Sequence, residues 1–177
     1  MRLSGKNIAL FVADIFEDLE FWYPYYRMRE EGAEVVVIGP TRNPYRGKKG
    51  LQASADQAIS AVKTDEFHAL IIPGGYAPDH MRRVPEMVRF VKEIHSEGKP
   101  VAAICHAGWM LASAGILEGR RATSFFAIRD DMVNAGAKWV DQEVVVDKNI
   151  ITSRKPDDLP AFCKAIIDSL SSPSAGQ

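Results

Sequence analysis

A cysteine lies where an apolar segment gives way to a helical one, in the run Val101-Ala-Ala-Ile-Cys-His-Ala-Gly-Trp109. A thiol at the carboxyl edge of a parallel sheet and at a helix start is close to unpaired backbone amides, which stabilise a thiolate. Ala103 and Ala107 are small, as a tight strand-to-helix turn requires. The pattern predicts that Cys105 is a nucleophile with a pKa below that of a free thiol. The alternative is a small buried hydrophobe.

Three further features predict groups that would act with this thiol. Gly74 and Gly75 follow another apolar segment, so amides there and the amide of His106 are predicted to bind a developing oxyanion. Glu17 follows the first apolar segment and is predicted to lie beside the thiol in its protonated form, donating a hydrogen bond. His106 is the candidate base, although neighbours at a helix start usually point apart. Each feature also has a plainer interpretation, as a turn, a solvated acid or a helix-start residue.

The elements around these residues predict an α/β fold. Short apolar runs alternate with helical patterns, which is typical of parallel βαβ units and of a sheet covered on both faces. The predicted strands are residues 7–12, 34–38, 69–72, 101–104, 143–146 and 150–153. The predicted helices are residues 20–31, 85–96, 106–114, 128–135 and 159–170. Pro and Gly interrupt residues 39–61, which predicts a hairpin or an irregular excursion, with Gly47-Lys-Lys-Gly50 as a solvated turn.

Composition limits the classes of function. The chain has 177 residues, of which 46% are hydrophobic, and this predicts one domain over residues 1–170 with a polar tail at 171–177. Its 22 basic and 23 acidic side chains leave a formal net charge of −1, which argues against nucleic acid or an anionic membrane as a partner. Acidic residues interrupt the first apolar stretch, so we expect no signal peptide or membrane span and a cytoplasmic protein. Ligands at zinc spacing are absent, and neither a metal nor a cofactor is predicted.

Taken together, these motifs resemble the ThiJ/PfpI family of intracellular cysteine hydrolases, which is related to the class I glutamine amidotransferases. The resemblance extends over nearly all of the chain up to Leu170. It rests on Phe16-Glu-Asp-Leu-Glu20, Leu70-Ile-Ile-Pro-Gly-Gly75, Gly98-Lys-Pro-Val101, Ala103-Ile-Cys-His106, Asn134-Ala-Gly136, Asp141-Gln-Glu-Val-Val-Val-Asp147 and Thr152-Ser-Arg-Lys-Pro-Asp-Asp-Leu-Pro160. It implies a flavodoxin-like three-layer sandwich with a mostly parallel central sheet, and a homo-oligomer, either a dimer or a hexamer.

The resemblance also implies roles for single residues. Cys105 matches the family nucleophile, Glu17 the carboxylate that contacts its sulfur, and His106 the proposed dyad histidine. The positions that match the oxyanion hole are Gly74, Gly75 and His106. Asp79 matches a glutamate that is proposed to orient the histidine of a neighbouring subunit, and it is one methylene shorter. Two other departures are Ala107, where glycine is common, and Phe125, where some relatives carry a tyrosine.

The sequence leaves the reaction open. Our leading hypothesis is a PfpI-like cysteine hydrolase of the peptidase type, in which the Cys105 thiolate attacks a carbonyl of a peptide or a small substrate and His106 shuttles the proton. One alternative is a cofactor-independent glyoxalase or protein deglycase that acts on methylglyoxal or its adducts. Another is a non-enzymatic stress-response redox sensor or chaperone with an oxidisable Cys105.

Overall fold

A seven-stranded sheet forms the centre of the structure, a computed structural model that describes residues 1–171. The strands are β1 (Asn7–Phe11), β2 (Glu34–Gly39), β3 (Pro44–Arg46), β4 (Gln52–Ser54), β5 (Gln57–Ala58), β6 (Ala69–Ile72), β7 (Val101–Ile104), β8 (Arg121–Ala122), β9 (Lys138–Trp139), β10 (Val144–Asp147) and β11 (Ile150–Ser153). The helices are α1 (Asp18–Glu30), α2 (Ala77–Arg82), α3 (Pro85–Ser96), α4 (Gly108–Ser113), α5 (Arg129–Asn134) and α6 (Leu159–Ser171).

The central sheet is parallel except at one edge. Its strand order is β10-β11-β7-β6-β1-β2-β5, and only the β10–β11 pair is antiparallel. Every residue of β6, β7 and β11 is buried, because helices cover both faces. Helices α1 and α6 pack together against β2 and β11. On the other face, α3 and α4 pack against β6 and β7, and α2 packs on α3 and α4. The predicted mostly parallel, flavodoxin-like sandwich is confirmed.

The differences from the sequence prediction involve the shortest elements. The predicted hairpin between residues 39 and 61 is the antiparallel pair β3–β4. Helix α2 and the parallel pair β8–β9 were not predicted, because six-residue helices and two-residue strands are too short to show a hydrophobic period. Helix α6 ends at Ser171, and the rest of the predicted polar tail lies outside the described residues. Over residues 1–171, no helix combines the length and the apolar character that crossing a bilayer would take.

The order of the strands determines where a site can form. From β1 the chain moves outwards to β2 and β5, and it then crosses back to β6 and β7 on the other side. The loops that follow β1 and β6 therefore leave the same edge of the sheet from adjacent strands. In open α/β sheets this reversal is where a crevice forms and ligands bind. Residues 14–20, 73–76 and 105–108 all lie at this edge.

An aromatic cluster joins the sheet to α3. The ring of Phe11, in β1, lies 5.6 Å from the ring of Phe90, which in turn lies 5.9 Å from the ring of Phe67. All three side chains are buried. Phe11 ends the strand that leads into the loop of residues 12–17, which we call the acidic loop, so its packing holds that loop against the core.

Replacing Phe11 with alanine is expected to lower the free energy of unfolding by about 3–5 kcal/mol, because the cavity would lie in a closely packed layer. Phe126→Ala is the matched control, since Phe126 is 71% exposed, and its effect should stay within about 0.5 kcal/mol. Urea denaturation followed by circular dichroism measures both. Equal losses in the two variants would contradict the assigned core.

Candidate active site

Cys105 lies on a strained turn at the end of β7. Its φ of 63° is in the left-handed region, a conformation that costs a non-glycine residue on the order of 1–3 kcal/mol. The residue is only 8% exposed. A single turn of 3-10 helix, Cys105–Ala107, joins the strand to α4. Large side chains would not fit around it, since a Cβ on Gly108 would lie 2.5 Å from the sulfur of Met132. The strain is therefore maintained by close packing and directs the Cys105 sulfur to the carboxyl edge of the sheet.

The carboxyl group beside the thiol belongs to Glu20, in the first turn of α1. Glu20 is fully buried, and its Oε2 accepts a hydrogen bond of 2.8 Å from the amide of Gly74. A Cβ on Gly74 would lie 2.5 Å from that oxygen and 2.8 Å from the Cβ of Cys105, so the two side chains close around this glycine. Among the described residues, Oε1 of Glu20 has no nitrogen or oxygen partner. A proton on Oε1 would therefore be available to the sulfur.

Glu17 was predicted to contact the sulfur, and the structure corrects this. The thiol interacts with the carboxyl of Glu20, three residues further on. Glu17 precedes α1 and pairs with Lys48, with 2.8 Å between its Oε2 and the Nζ of the lysine. The physical reason is the start of α1. Glu17 is the N-cap residue, with an extended backbone, so its side chain does not follow the helical geometry that directs Glu20 towards the thiol. Both acids lie at the sheet edge, but it is Glu20 that reaches the strand-to-helix turn at Cys105–Ala107, which we call the elbow.

Burial controls the protonation of this pair. Burial, with a smaller contribution from the charge of Glu17, raises the pKa of Glu20 to about 8 against the opposing Gly74 hydrogen bond. Burial also raises the pKa of the Cys105 thiol above its usual value, and a charge on Glu20 adds to this effect. The expected lowering of the thiol pKa is therefore wrong for the resting site. Here the cost of burying a charge exceeds the stabilisation that the amides give.

The predicted oxyanion-hole residues separate into two roles. The amides of His106 and Gly75 point to the sulfur and favour its anion. The amide of Gly74 is already donated to Glu20, so it is not free for an oxyanion, contrary to the prediction. Gly75 has a φ of 76°, and a Cβ there would lie 2.5 Å from the backbone nitrogen of Glu17. No side chain can be added at this position without displacing the acidic loop.

His106 is brought to the thiol, although it is the next residue in the chain. Its Nδ1 lies 3.3 Å from the Cys105 sulfur. The imidazole is stacked on Phe125 at 5.0 Å and contacts the edge of Trp109 at 5.2 Å. Burial lowers the pKa of His106, with a smaller contribution from the charge of Lys48. A neutral imidazole at neutral pH is able to accept the thiol proton.

Lys48 is a site residue that the sequence analysis missed. It was assigned to a solvated turn, but the β3–β4 hairpin folds over the acidic loop and places its ammonium on Glu17. Asp18 holds the turn by accepting hydrogen bonds from the amides of Lys49 and Leu51. One sequence feature could have indicated this role. Two lysines lie between Gly47 and Gly50, and the acidic run at residues 14–20 contains no basic residue that could pair with it. No periodic pattern connects segments so far apart.

Asp79 interacts with a residue outside this cluster. It is in the first turn of α2, and its carboxylate pairs with Arg83, whose Nε is 3.9 Å away. The His106 Nδ1 contact is to the sulfur of its own chain. Within the described residues of one chain, Asp79 and His106 are therefore not joined by a hydrogen bond, and a role for Asp79 across subunits stays a prediction.

A cysteine at a strained strand-to-helix turn of a parallel α/β sheet, flanked by a buried carboxyl and a histidine, defines the class of protein. The sequence model described as the DJ-1/PfpI family matches residues 6–169, and the chain belongs to the DJ-1/PfpI family.

Named relatives agree with this assignment. The chain is 45% identical over 161 residues to "Deglycase PfpI" of Pyrococcus furiosus, covering 91% of this chain and 97% of that protein. It is also 45% identical to "Protein/nucleic acid deglycase 2" of Escherichia coli, covering 89% and 94% of the two chains.

A solved structure shows the same fold in a longer chain. A two-domain protein from Anabaena variabilis, with DJ-1/ThiJ/PfpI-like and ferritin-like domains, has a TM-score of 0.92 and 44% identity to this chain. The match covers 97% of this chain but 50% of the other, so the chain spans half the length of that protein.

Glu20→Gln is expected to stabilise the protein at alkaline pH. A raised carboxyl pKa means that the folded state favours the protonated form, so the wild type loses stability as the pH rises from about 4.5 through about 8. Glutamine stays neutral and its oxygen can still accept the Gly74 hydrogen bond. At pH 9 the variant should exceed the wild type by a few kcal/mol, since one pKa unit corresponds to about 1.4 kcal/mol. At pH 4 the two should be nearly equal.

Urea unfolding of both proteins at pH 4, 6, 8 and 9 measures this difference. A gap that is constant across the series would show that folding does not change the pKa of Glu20, against the assignment. Glu86→Gln, at an acid in the first turn of α3, controls for the loss of one surface charge.

Proposed function

We propose that the protein is a cysteine-dependent deglycase, which removes methylglyoxal adducts from amino groups and releases the carbonyl carbons as lactate. The observation that carries the proposal is the Cys105 sulfur, 8% exposed, with His106 Nδ1 at 3.3 Å and the buried carboxyl of Glu20 beside it. Such a site has a nucleophile and two groups that can move protons. Relatives at 45% identity that are named as deglycases support the same chemistry.

The reaction begins with a proton transfer from the thiol to His106. The Cys105 thiolate forms a carbon–sulfur bond at the hydroxyl-bearing carbon of the adduct, the carbon–nitrogen bond breaks, and the amine leaves with the proton held by His106. The product is an enzyme-bound hemithioacetal. When its carbon-bound proton is later removed, negative charge develops on the neighbouring ketone oxygen. The amides of Gly75 and His106, which bond the sulfur in the resting site, stabilise this charge.

The second stage moves hydrogen between two carbons. The proton on the hemithioacetal carbon is removed and one is returned to the adjacent ketone carbon, which converts the hemithioacetal into a lactoyl thioester. Glu20, whose pKa of about 8 lies near the working pH, suits this exchange. Water then cleaves the thioester to give lactate and the free thiol. One water is consumed in total, and no external oxidant or reductant is required.

The shape of the site favours a small carbonyl group over a peptide bond. The sulfur lies at the bottom of the elbow, between the Gly74-Gly75 turn and His106. A polypeptide would have to bring its main chain to a nearly buried atom, whereas an adduct at the end of a long side chain extends away from its own backbone. The PfpI-like peptidase remains the second candidate, because a Cys–His dyad is also the apparatus of a cysteine peptidase.

The organisation of the protein completes the proposal. We propose one domain over residues 1–170, acting in the cytoplasm as a homo-oligomer in which Asp79 approaches the His106 of a neighbouring subunit. The exposed aromatic side chains of α1 support self-association, since Tyr23 and Tyr26 are 40% and 61% exposed on one helix.

The experiment uses purified full-length protein and Nα-acetyllysine whose ε-amino group has been treated with methylglyoxal. We expect lactate and free Nα-acetyllysine in equal amounts, with a loss of at least about 100-fold in Cys105→Ala because the nucleophile is removed. Cys163→Ala is the matched control, since Cys163 is a buried thiol in α6, away from the site.

Two outcomes would reject the proposal. In the first, the rate of lactate formation never exceeds the rate at which methylglyoxal leaves the adduct spontaneously. Only the free aldehyde would then be a substrate. Peptide cleavage that depends on Cys105, without any lactate, would favour the peptidase.

A further inference from the structure

The catalytic cluster contains an ion pair that the proposed reaction does not use. The Nζ of Lys48 lies 2.8 Å from Oε2 of Glu17. The side chain of Glu17 is 9% exposed and that of Lys48 is 43% exposed, so the pair joins a buried carboxylate to a partly exposed lysine. A buried carboxylate retains such a partner because leaving it alone would be costly.

The turn that carries Lys48 is held rigidly in this position. The buried carboxylate of Asp18 accepts hydrogen bonds of 2.8 Å from the amide of Lys49 and 2.9 Å from that of Leu51. A Cβ on Gly47 would lie 2.6 Å from the same carboxylate. A loop fixed by a dedicated acid and by a glycine without space for a side chain presents its lysine in one place.

Four charged or titratable groups make up the thiol site. Glu20, His106 and Lys48 interact with the thiol, and Glu17 acts on Glu20 and pairs with Lys48. Glu20 is in α1, Glu17 is in the loop before it, Lys48 is in the hairpin turn and His106 is in the elbow. Lys48 interacts electrostatically with Cys105, Glu20 and His106 as well as with Glu17. Its influence therefore extends over the whole cluster and is not limited to its ion-pair partner.

We propose that the Glu17–Lys48 pair balances the charge of the thiol site, with Lys48 a positioning residue that favours the Cys105 thiolate and Glu17 one that opposes it. The pair is neutral when intact. If the lysine is lost, a bare carboxylate is left beside a thiol that must ionise. If the glutamate is lost, the ammonium has no local counter-charge. The proposal concerns the reactivity of Cys105 and rests on its role as the nucleophile, whichever carbonyl compound it attacks.

The two single variants should have opposite effects, which a purely structural role would not produce. We expect Lys48→Met to slow the alkylation of Cys105 by iodoacetamide and Glu17→Gln to accelerate it at the same pH. Each change should be about tenfold or less, because a charge within reach of the thiol shifts its pKa by on the order of one unit and the exposed lysine is partly screened. The double variant should return towards the wild-type rate, and Lys48→Arg should retain it.

The measurement is the rate of carboxymethylation of Cys105, read by peptide mass spectrometry at a series of pH values from 6 to 9 on full-length protein. Cys163 serves as an internal reference for unfolding, since it is buried and reacts only when α6 opens. Lys49→Met is the matched control, because Lys49 is the neighbouring exposed lysine and contributes its amide to the turn. It should react at the wild-type rate.

Rate changes of the same sign in Lys48→Met and Glu17→Gln would overturn the proposal, since they would indicate a loosened site. So would an unchanged rate in both variants, or an effect of Lys49→Met equal to that of Lys48→Met. Alkylation requires no turnover. If the protein makes no lactate but the two variants change the alkylation rate in opposite directions, the deglycase function is rejected and the proposed charge balance is supported.

Discussion

The chemistry of this site depends on how one negative charge is distributed between Cys105 and Glu20. Both groups are buried, and they close around Gly74, whose missing side chain leaves the space that they occupy. Burial raises the free-energy cost of both the thiolate and the carboxylate, so both groups are protonated in the resting site. A protonated carboxyl is then available to donate to the sulfur once the thiol proton has moved to His106. The amides of Gly75 and His106 supply the remaining stabilisation.

The fold makes this arrangement possible by bringing several loops to one edge of the sheet. The acidic loop follows β1, the glycine turn follows β6, and the elbow follows β7. The strand order places these three strands side by side. Three of the acids that follow β1 have different roles. Glu17 pairs with Lys48, Asp18 binds the amides of the hairpin turn, and Glu20 enters the site. Three acids within four residues thus have three different partners.

Much of this architecture was predictable from local pattern. Continuous apolar runs identified the buried parallel strands, and the small residues around Cys105 identified the elbow. The assignment of the carboxyl failed because the choice between Glu17 and Glu20 depends on where α1 starts, and helix boundaries are uncertain by one or two residues in any sequence. Lys48 was missed for another reason, since its place depends on a hairpin folding onto a loop more than 25 positions away along the chain. The direction of the thiol pKa depended on burial, which the sequence does not display.

The most direct test of the shared charge is the protonation state of Glu20 at neutral pH. Infrared difference spectra of the wild type against Glu20→Gln, taken while the pH rises, resolve the C=O stretch of a buried carboxylic acid. We expect a carboxylic-acid band at pH 6 that is absent from the variant and that disappears as the pH passes about 8. A spectrum that shows only carboxylate from pH 6 upwards would mean that Glu20 is already ionised beside the thiol, and the proposed distribution of charge would be wrong.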